Sequence, residues 1–429
     1  MSPVIPKHIL KYLKPLHIFY QKRLEEDAKT LQSVAQKILP NSRLYYSAKT
    51  NALLKILKSM LTMNYCLEIM APGDLKSAQL AGAAGDKLLL NGMAWSKEFL
   101  CSAIYQNRIR HIHFDSIDML DLLEAILREN PPPPQDISLG IRVHDGRSHF
   151  GFYPTPGALQ AVAEKFKQLN LPLKNLHIHS NSQMGTQSME KISADVQNNL
   201  RRLLDAQNIL SSFQVNTIEC FDLGGGFESP SVYRLSGRDF SDYHAARGIP
   251  SGAKLERPSL EQQFESIFKD IAAFLKRNNA GKMKIFFEPG RSIVARALSS
   301  LLEVRVVKRD YYPDAQVLIT NGSTSLLGPL HSAIHPIVLL NETGAVKSEA
   351  PIKSFVYGNL PHSADWLAQN IFLPAAKVGD QILVEHTGAY VLPLEANFGY
   401  PRPGIYDAAA DIIWRDPENV FDLSLRDKI

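Results

Sequence analysis

The sequence predicts an α/β-plus-β protein in which a (β/α)8 TIM-like barrel is followed by a mainly antiparallel β domain. Eight short apolar runs alternate with longer amphipathic stretches between about residues 40 and 290. Many of these runs are continuous in Ile, Leu, Val, Phe or Tyr, as expected of parallel strands that are covered on both faces. After Arg291 apolar residues alternate with polar ones and few helical periods intervene, which is typical of antiparallel strands.

The eight apolar runs are the predicted barrel strands. They are Leu44–Ala48, Tyr65–Met70, Lys87–Asn91, His111–Asp115, Ile137–Val143, Leu176–Ser180, Thr217–Leu223 and Lys284–Glu288. Helical periodicity fills the intervals, most clearly over Asp118–Arg128, Pro156–Leu169 and Ala194–Leu210. Eight strand–helix units in roughly 250 residues match the size of a (β/α)8 barrel. The same alternation also allows an open doubly wound sheet.

The pattern predicts the domain limits as well. We expect residues 25–291 to form the barrel, residues 292–429 to form the β domain, and residues 1–24 to join the β domain. Segment Glu228–Lys254, which follows the seventh predicted strand, is rich in Ser, Gly, Pro and Arg and is long for a connecting loop. It is interpreted either as an active-site lid or as a disordered surface insertion.

Composition excludes several classes of protein. The chain has 429 residues, of which 45% are hydrophobic, and its 47 basic and 43 acidic residues give a net charge of +4. This charge is too small and too evenly spread to predict a nucleic-acid partner. No apolar run is long enough to predict a membrane span, and the N-terminus does not resemble a secretory signal. Three widely spaced cysteines fit neither a disulfide framework nor a zinc cluster, so we expect a cytoplasmic protein.

Residues suited to catalysis follow the predicted strands, at the barrel end where active sites gather. Lys49 directly follows the first strand, where partial desolvation lowers an amine pKa and allows a covalent bond with a carbonyl cofactor. Gly224, Gly225 and Gly226 follow the seventh strand, where their N–H groups can converge on an anion or simply make a tight turn. The eighth strand ends in Glu288-Pro289-Gly290-Arg291, a carboxylate and a cation suited either to a ligand or to a structural ion pair.

The sixth predicted strand carries two histidines. His177 and His179 are alternate residues and are therefore expected on one face of the strand. No acidic residue adjoins them, and the chain contains no H-E-x-x-H pattern, so no metal site is predicted.

These motifs, together with Gly388-Ala389-Tyr390, resemble in order the fold-type III pyridoxal-phosphate decarboxylases, which include the ornithine and diaminopimelate decarboxylases. Tyr46–Asn51 is similar to the family's lysine motif, which implies that Lys49 binds the aldehyde of pyridoxal 5'-phosphate. The resemblance implies that His179 stacks on the pyridine ring and that Glu288 faces the ring nitrogen. It also implies a cofactor-binding set made of Ser182, Gly224, Gly225, Gly226, Gly290, Arg291 and Tyr390. Weaker matches are Glu68, Asp74 and Arg142.

The chain departs from the family in the segment that completes the neighbouring subunit's active site. Gly358–Asp365 is similar to that segment, but Pro361 stands where the family has a cysteine proton donor. His362 stands where a carboxylate usually meets the substrate's distal amine. Because imidazole titrates near neutrality, His362 could replace the cysteine as the catalytic proton donor, or it could be a surface histidine. The resemblance implies a homodimer with shared active sites.

A second departure concerns the substrate. Residues 321–329 resemble the family region that carries the carboxylate-reading arginine of diaminopimelate decarboxylase, and this arginine falls at Gly328. An acidic residue suited to a diamine is also missing at Ser325. We therefore expect a small amino-acid substrate that is non-standard or conjugated and rich in carboxylates, as in divergent family members of siderophore biosynthesis. An amino-acid racemase on the same scaffold and a catalytically silent regulatory protein are the alternatives.

Overall fold

The structure of the protein is a computed structural model. It describes residues 6–12, 15–133, 136–179, 189–235, 237–245, 249, 253, 257–310 and 314–425. The chain folds into two compact units. One unit comprises residues 27–227 and 258–290, and the other comprises residues 1–26, 228–257 and 291–429.

In the described part of the first unit, eight parallel strands close into a barrel in the order β10-β2-β3-β4-β5-β6-β7-β8. Their bounds are β2 Ser42–Ser47, β3 Cys66–Ile69, β4 Leu88–Asn91, β5 His111–Phe114, β6 Ser138–Arg142, β7 Leu173–His177, β8 Cys220–Asp222 and β10 Lys284–Phe287. The predicted barrel is therefore confirmed, and the open sheet is excluded by the pairing of β10 with β2. The sixth barrel strand, β7, begins at Leu173 and ends at His177, which is three residues earlier than predicted.

The helices of the barrel unit are α2 Gln21–Ile38, α3 Leu54–Thr62, α4 Pro72–Leu80, α5 Lys97–Cys101, α6 Ile117–Glu129, α7 Pro156–Leu169, α8 Met189–Ser212 and α10 Leu260–Arg277. Helix α2 precedes the first barrel strand, and the other helices of the barrel unit connect successive strands. Helix α7 begins at a proline and ends before Asn170, which adopts a left-handed conformation. Helix α10 begins with a capping box between Ser259 and Gln262. Among the described residues, no helix has the length and apolar character of a membrane span.

The second unit contains a mainly antiparallel sheet, as predicted. Its path is β16-β15-β12-β11-β1-β18-β19, and β17 pairs with both β11 and β14. The bounds are β1 Leu16–Phe19, β11 Leu298–Lys308, β12 Ala315–Thr320, β14 Ile337–Leu340, β15 Ile352–Tyr357, β16 Trp366–Leu373, β17 Gln381–Val384, β18 Gly404–Asp407 and β19 Ile412–Arg415. Strands β1/β18 and β12/β15 pair in parallel, while the other pairs are antiparallel. Short helices α1 Lys7–Tyr12, α11 Arg291–Val294 and α12 Val391–Leu394 complete this part of the chain.

The segment after the triple glycine belongs to the second unit, whereas the predicted domain limits assign it to the barrel. Its strand β9 (Tyr233–Arg234) pairs with β13 (Ala333–Ile334), and its helix α9 (Gly237–His244) follows directly. The aromatic ring of Tyr243 packs edge-on against Trp366 with ring centroids 5.4 Å apart, and the backbone N–H of Gln369 donates to the Tyr243 hydroxyl. The described part of this segment is therefore folded onto the β domain and is not a disordered insertion.

Candidate active site

Lys49 lies just past the end of β2, beside a buried carboxyl group. Its Nζ is 3.3 Å from Oε1 of Glu68, which is fully buried on β3. The hydroxyl of Ser47 donates to the other oxygen, Oε2, at 2.6 Å. Burial raises the pKa of Glu68 to about 7, although the Lys49 ammonium opposes this shift. Glu68 can therefore exchange a proton with the lysine amine near neutral pH.

Glu288 follows β10 directly and is also fully buried. Its Oε1 accepts a hydrogen bond from Asn91 Nδ2 at 2.8 Å and lies 3.7 Å from Nε2 of His177. Its Oε2 lies 3.6 Å from Nδ1 of His179. Although burial alone would raise the pKa of Glu288, the His177 imidazole, the His179 imidazole and the Lys49 ammonium hold it below its usual range. Glu288 is therefore the anionic carboxylate of this site.

The triple glycine approaches both His179 and Glu288. The N–H of Gly225 donates to Nδ1 of His179 at 3.2 Å, and Glu288 N–H donates to the carbonyl of Gly224 at 2.8 Å. Gly224 has φ of +63°, and a Cβ there would lie 2.6 Å from Nδ1 of His179. A Cβ on Gly225 would lie 2.6 Å from the carbonyl oxygen of Glu288. Gly226 also has a positive φ, of +89°. Side chains are thus excluded from a loop whose backbone lies against the site.

A second group of buried polar residues lies beside Glu288. The rings of His113 and His177 stack with centroids 5.2 Å apart, and Nδ1 of His113 is 3.8 Å from Oδ2 of Asp222. The other oxygen of Asp222 accepts the N–H of Gly224 at 2.8 Å. Burial lowers the pKa of His113 to about 4 and that of His177 well below its usual value. Burial therefore disfavours the charged form of both imidazoles.

The remaining predicted cofactor residues are placed as follows. A Cβ on Gly290 would overlap Oγ1 of Thr50, so this position of the barrel unit requires glycine. Ser182 lies outside the described residues. In the β unit, the Arg291 guanidinium lies over the Tyr390 ring, 5.1 Å from its centroid. Nε of Arg291 also lies 2.7 Å from Oε2 of Glu228, so the structural ion pair considered for this arginine exists.

His362 is exposed in the loop between β15 and β16. Its Nδ1 accepts the backbone N–H of Ala364 at 3.2 Å. Asp365 organises the same loop, because it accepts hydrogen bonds from the backbone of Leu360 and from both the backbone and the hydroxyl of Thr324. This arrangement leaves Nε2 of His362 as the ring nitrogen that can carry a proton to a ligand.

Several members of these networks were not predicted as site residues, among them Asn91, His113, His177 and Asp222. Each lies on a barrel strand, and Asn91 and Asp222 are the last residues of β4 and β8. A polar residue that ends an otherwise apolar strand was the available signal. His113 gave a weaker one, since it stands within the run His111–Phe114.

The barrel residues fit pyridoxal 5'-phosphate. Oε2 of Glu288 is buried and has no hydrogen-bond donor within the described residues, so a protonated ring nitrogen would satisfy it. A Cβ on Gly224 or Gly225 would collide with His179 or with the backbone of Glu288, so only glycine lets this loop lie against the site with its backbone facing a ligand. Lys49 provides the amine that an aldehyde needs.

Comparison with known proteins identifies the family. The sequence profile "Pyridoxal-dependent decarboxylase, pyridoxal binding domain" matches residues 25–295. The diaminopimelate decarboxylase of Staphylococcus aureus (strain COL) is 25% identical over 374 residues, which cover 84% of this chain and 80% of that protein. The diaminopimelate decarboxylase of Methanocaldococcus jannaschii is 25% identical over 404 residues, which cover 89% of this chain and 83% of that protein.

Solved structures agree on the fold. The crystal structure of diaminopimelate decarboxylase from M. jannaschii superposes with a TM-score of 0.81 at 19% identity, covering 99% of this chain and 94% of that one. The Helicobacter pylori diaminopimelate decarboxylase complexed with L-lysine superposes with a TM-score of 0.75 at 18% identity, covering 97% of this chain and 98% of that one. With a matching family profile over more than half of its length, this chain belongs to the pyridoxal-dependent decarboxylases and is an amino-acid decarboxylase that uses pyridoxal 5'-phosphate.

Proposed function

We propose that Lys49, His179, Glu288 and His362 are the catalytic residues of this decarboxylase, and that its substrate is a conjugated or otherwise non-standard, carboxyl-rich amino acid. The proposed cofactor-binding residues are Lys49, His179, Ser182, Gly224, Gly225, Gly226, Glu288, Gly290, Arg291 and Tyr390. When bound, the cofactor supplies an electron-withdrawing ring that stabilises negative charge at the substrate Cα.

The roles of the barrel residues follow from their contacts. Glu68, 3.3 Å from Nζ of Lys49, takes and returns the proton that the lysine amine must lose to act as a nucleophile. Asn91 orients Glu288 through its 2.8 Å hydrogen bond, so that the anionic charge is fixed before any ligand binds. The Gly225 N–H occupies Nδ1 of His179 and thereby fixes the orientation of that imidazole.

His362 is the proposed proton donor to Cα. Its exposed imidazole and its Nδ1 hydrogen bond to Ala364 support this role, because they leave Nε2 to hold the transferable proton. By resemblance this loop serves the partner subunit's site. We therefore propose a homodimer with shared active sites.

The substrate proposal rests on one observation, the glycine at position 328. Gly328 begins a short 3-10 helix, and a Cβ built there meets no atom within 4 Å. The backbone at this position therefore accepts a Cβ, but the chain has a glycine there and no arginine. Ser325 supplies no charge either, since it has an uncharged hydroxyl, which is hydrogen-bonded to that of Ser323 at 2.6 Å. A site without these charges is poorly suited to free diaminopimelate, ornithine or arginine, and siderophore assembly uses conjugated substrates of the expected kind.

The test is carbon dioxide release from a panel of substrates. Meso-diaminopimelate, ornithine, arginine and citryl conjugates of diamino acids are compared by kcat/KM for the wild-type enzyme and for Gly328→Arg, with Gly328→Ala as the matched control. We expect a conjugate to be the best wild-type substrate and Gly328→Arg to improve turnover of diaminopimelate at least tenfold. Wild-type turnover of diaminopimelate that equals or exceeds turnover of every conjugate would refute the substrate proposal.

Diaminopimelate is the second candidate substrate. It is favoured by the relatives named diaminopimelate decarboxylase, which match up to 96% of this chain at 23–26% identity. The same panel decides between the two candidates.

A further inference from the structure

Two carboxyl groups, those of Asp222 and Glu288, are fully buried next to each other inside the barrel. Strands β8 and β10 pair in parallel, which places Asp222 opposite Phe286. A carboxyl oxygen of Asp222 lies within 4.8 Å of a carboxyl oxygen of Glu288. Both side chains have no exposed surface. Two negative charges this close and this well shielded from water repel each other, so ionisation of both groups at ordinary pH is strongly disfavoured.

The surroundings of the two groups differ in a way that decides which one holds a proton. Glu288 accepts a hydrogen bond from Asn91, and the Lys49 ammonium stabilises its charge. Oδ1 of Asp222 accepts the Gly224 N–H, but Oδ2 has no hydrogen-bond donor in the described chain. Leaving an ionised oxygen buried without a donor is costly, whereas a neutral carboxyl avoids that cost. Burial and the nearby Glu288 carboxylate also raise the pKa of Asp222 well above its usual value.

We propose that Asp222 is held in its protonated form and that its neutral carboxyl allows Glu288 to remain ionised beside the cofactor ring nitrogen. Asp222 is thus a positioning residue that acts through Glu288 and through the Gly224 N–H. The inference rests on the proposed role of Glu288, but the protonation of Asp222 can be measured on its own.

The competing arrangement is an ion pair between a protonated His113 and an ionised Asp222. It has the same net charge as a neutral His113 beside a protonated Asp222. It is disfavoured because Nδ1 of His113 lies 3.8 Å from Asp222, beyond hydrogen-bond distance. It would also require a charged imidazole with no hydrogen-bond partner for either ring nitrogen among the described residues. Other titratable groups that interact with Asp222 and its neighbours are Tyr45, Glu68, Arg142, His177 and Cys220.

Infrared difference spectroscopy of the holoenzyme tests the proposal. At about pH 8.5 an aspartate with an ordinary pKa, and Glu68 as well, are ionised, so a protonated carboxyl band identifies an unusually raised group. We expect one such band that shifts when aspartate side-chain carboxyls are isotopically labelled and that disappears in Asp222→Asn. Asparagine keeps an oxygen acceptor for the Gly224 N–H and mimics the neutral acid in shape.

Two further variants complete the experiment. Glu68→Gln should leave the band in place, because Glu68 is already ionised at this pH. Glu288→Gln removes the neighbouring charge and should move the band's apparent pKa downward. If labelled wild-type enzyme shows no protonated aspartate, the inference is wrong whether or not Asp222→Asn folds. If Glu288→Gln also leaves the pH titration of the cofactor absorbance unchanged, the proposed role of Glu288 fails separately.

Discussion

Lys49 and Glu68 form a pair whose protonation changes near neutral pH. Glu68 is fully buried, accepts the Ser47 hydroxyl and lies 3.3 Å from the lysine amine. Its pKa of about 7 lies above the usual value of 4.5 because burial outweighs attraction to Lys49. Ionising this group therefore costs free energy in the folded protein. The consequence is a stability that depends on pH.

Replacing Glu68 with glutamine should remove that dependence. Between about pH 4.5 and pH 7, Glu68 of the wild type keeps its proton in the folded state but loses it in the unfolded chain. The free energy of unfolding therefore falls as the pH rises through this range. The total fall is about 3 kcal/mol. Urea unfolding of the cofactor-free proteins should show Glu68→Gln gaining stability relative to wild type between pH 5 and pH 8. Glu129→Gln, an exposed control, should show no such gain; equal behaviour of both variants would contradict the prediction.

Gly224 gives a second prediction, which concerns shape and not charge. Alanine at this position must adopt a φ of +63° and place its Cβ 2.6 Å from His179. The conformational cost alone is about 1–2 kcal/mol, and the contact displaces an imidazole proposed to stack on the cofactor. We expect Gly224→Ala to lower cofactor affinity at least tenfold, measured by fluorescence titration of the cofactor-free enzyme.

The control for this variant is Gly157→Ala in α7, where a Cβ meets no atom within 4 Å. It should bind the cofactor as the wild type does and lose no stability. Comparable loss of affinity in both variants would show that the position of the glycine is unimportant.

The individual site residues were predictable to different degrees. Lys49 and Glu288 stand at strand ends within recognisable motifs, so their involvement could be expected from the sequence. Asn91 and Asp222 occupy equivalent ends of β4 and β8 but carry no motif of their own. Their role depends on the closure of the barrel, which brings β4 and β10 side chains into hydrogen-bond contact across 197 residues of sequence. Local sequence patterns do not contain that information.

At the scale of elements, the stability of the segment after the triple glycine depends on the buried carboxylate of Glu228. Glu228 binds Arg234 through Oε1 at 3.0 Å and Arg291 through Oε2 at 2.7 Å. Its side chain is only 5% exposed, and that of Arg291 is 11% exposed. One anion between two cations leaves a positive charge in excess, which suits an arginine proposed to contact a phosphate.

Glu228→Gln should therefore destabilise the enzyme by about 3 kcal/mol, because it leaves two partly buried guanidinium groups without their anion. Glu129→Gln provides the control. Glu129 pairs with Lys97 on the surface, and its side chain is 61% exposed, so its loss should cost less than about 1 kcal/mol. Thermal and urea unfolding of both variants measure the difference, and similar losses in the two would show that Glu228 does not organise this segment.

The same segment shows what the sequence did not reveal. Neither strand β9 nor helix α9 was predicted, because the segment is interpreted from its sequence as a lid or a disordered insertion. Its attachment to the β unit depends on β9 pairing with β13, about 100 residues later in the chain, and on Tyr243 packing against Trp366. Two-residue strands carry too little periodicity to be recognised. The predicted position of strand β7 was three residues too late for a related reason, because the polar residues Lys174 and Asn175 interrupt its apolar run.

At the scale of the whole molecule, the barrel and the β sheet were predictable because their strands follow two distinct periodicities. Continuous apolar runs predict the parallel barrel, and alternation after Arg291 predicts the antiparallel sheet. The parallel pairs β1/β18 and β12/β15 were not predictable, because each joins strands that are distant in sequence. What neither periodicity addresses is the assembly of two chains, on which the proposed role of His362 depends.

Mixing two inactive variants tests the shared site directly. If Lys49 of one subunit works with His362 of the partner, Lys49→Ala and His362→Ala subunits each lack one half of every site. A mixed dimer of the two then contains one site with both residues intact. Random exchange makes half of the dimers mixed, so activity should recover to roughly one quarter of the wild-type value. In the His362→Ala variant alone, kcat should fall by a much larger factor than KM changes, as expected when a proton donor is lost. If the activity of the mixture stays at the level of the separate variants, either each subunit works alone or His362 has no catalytic role. A full kcat in His362→Ala would show that His362 has no catalytic role.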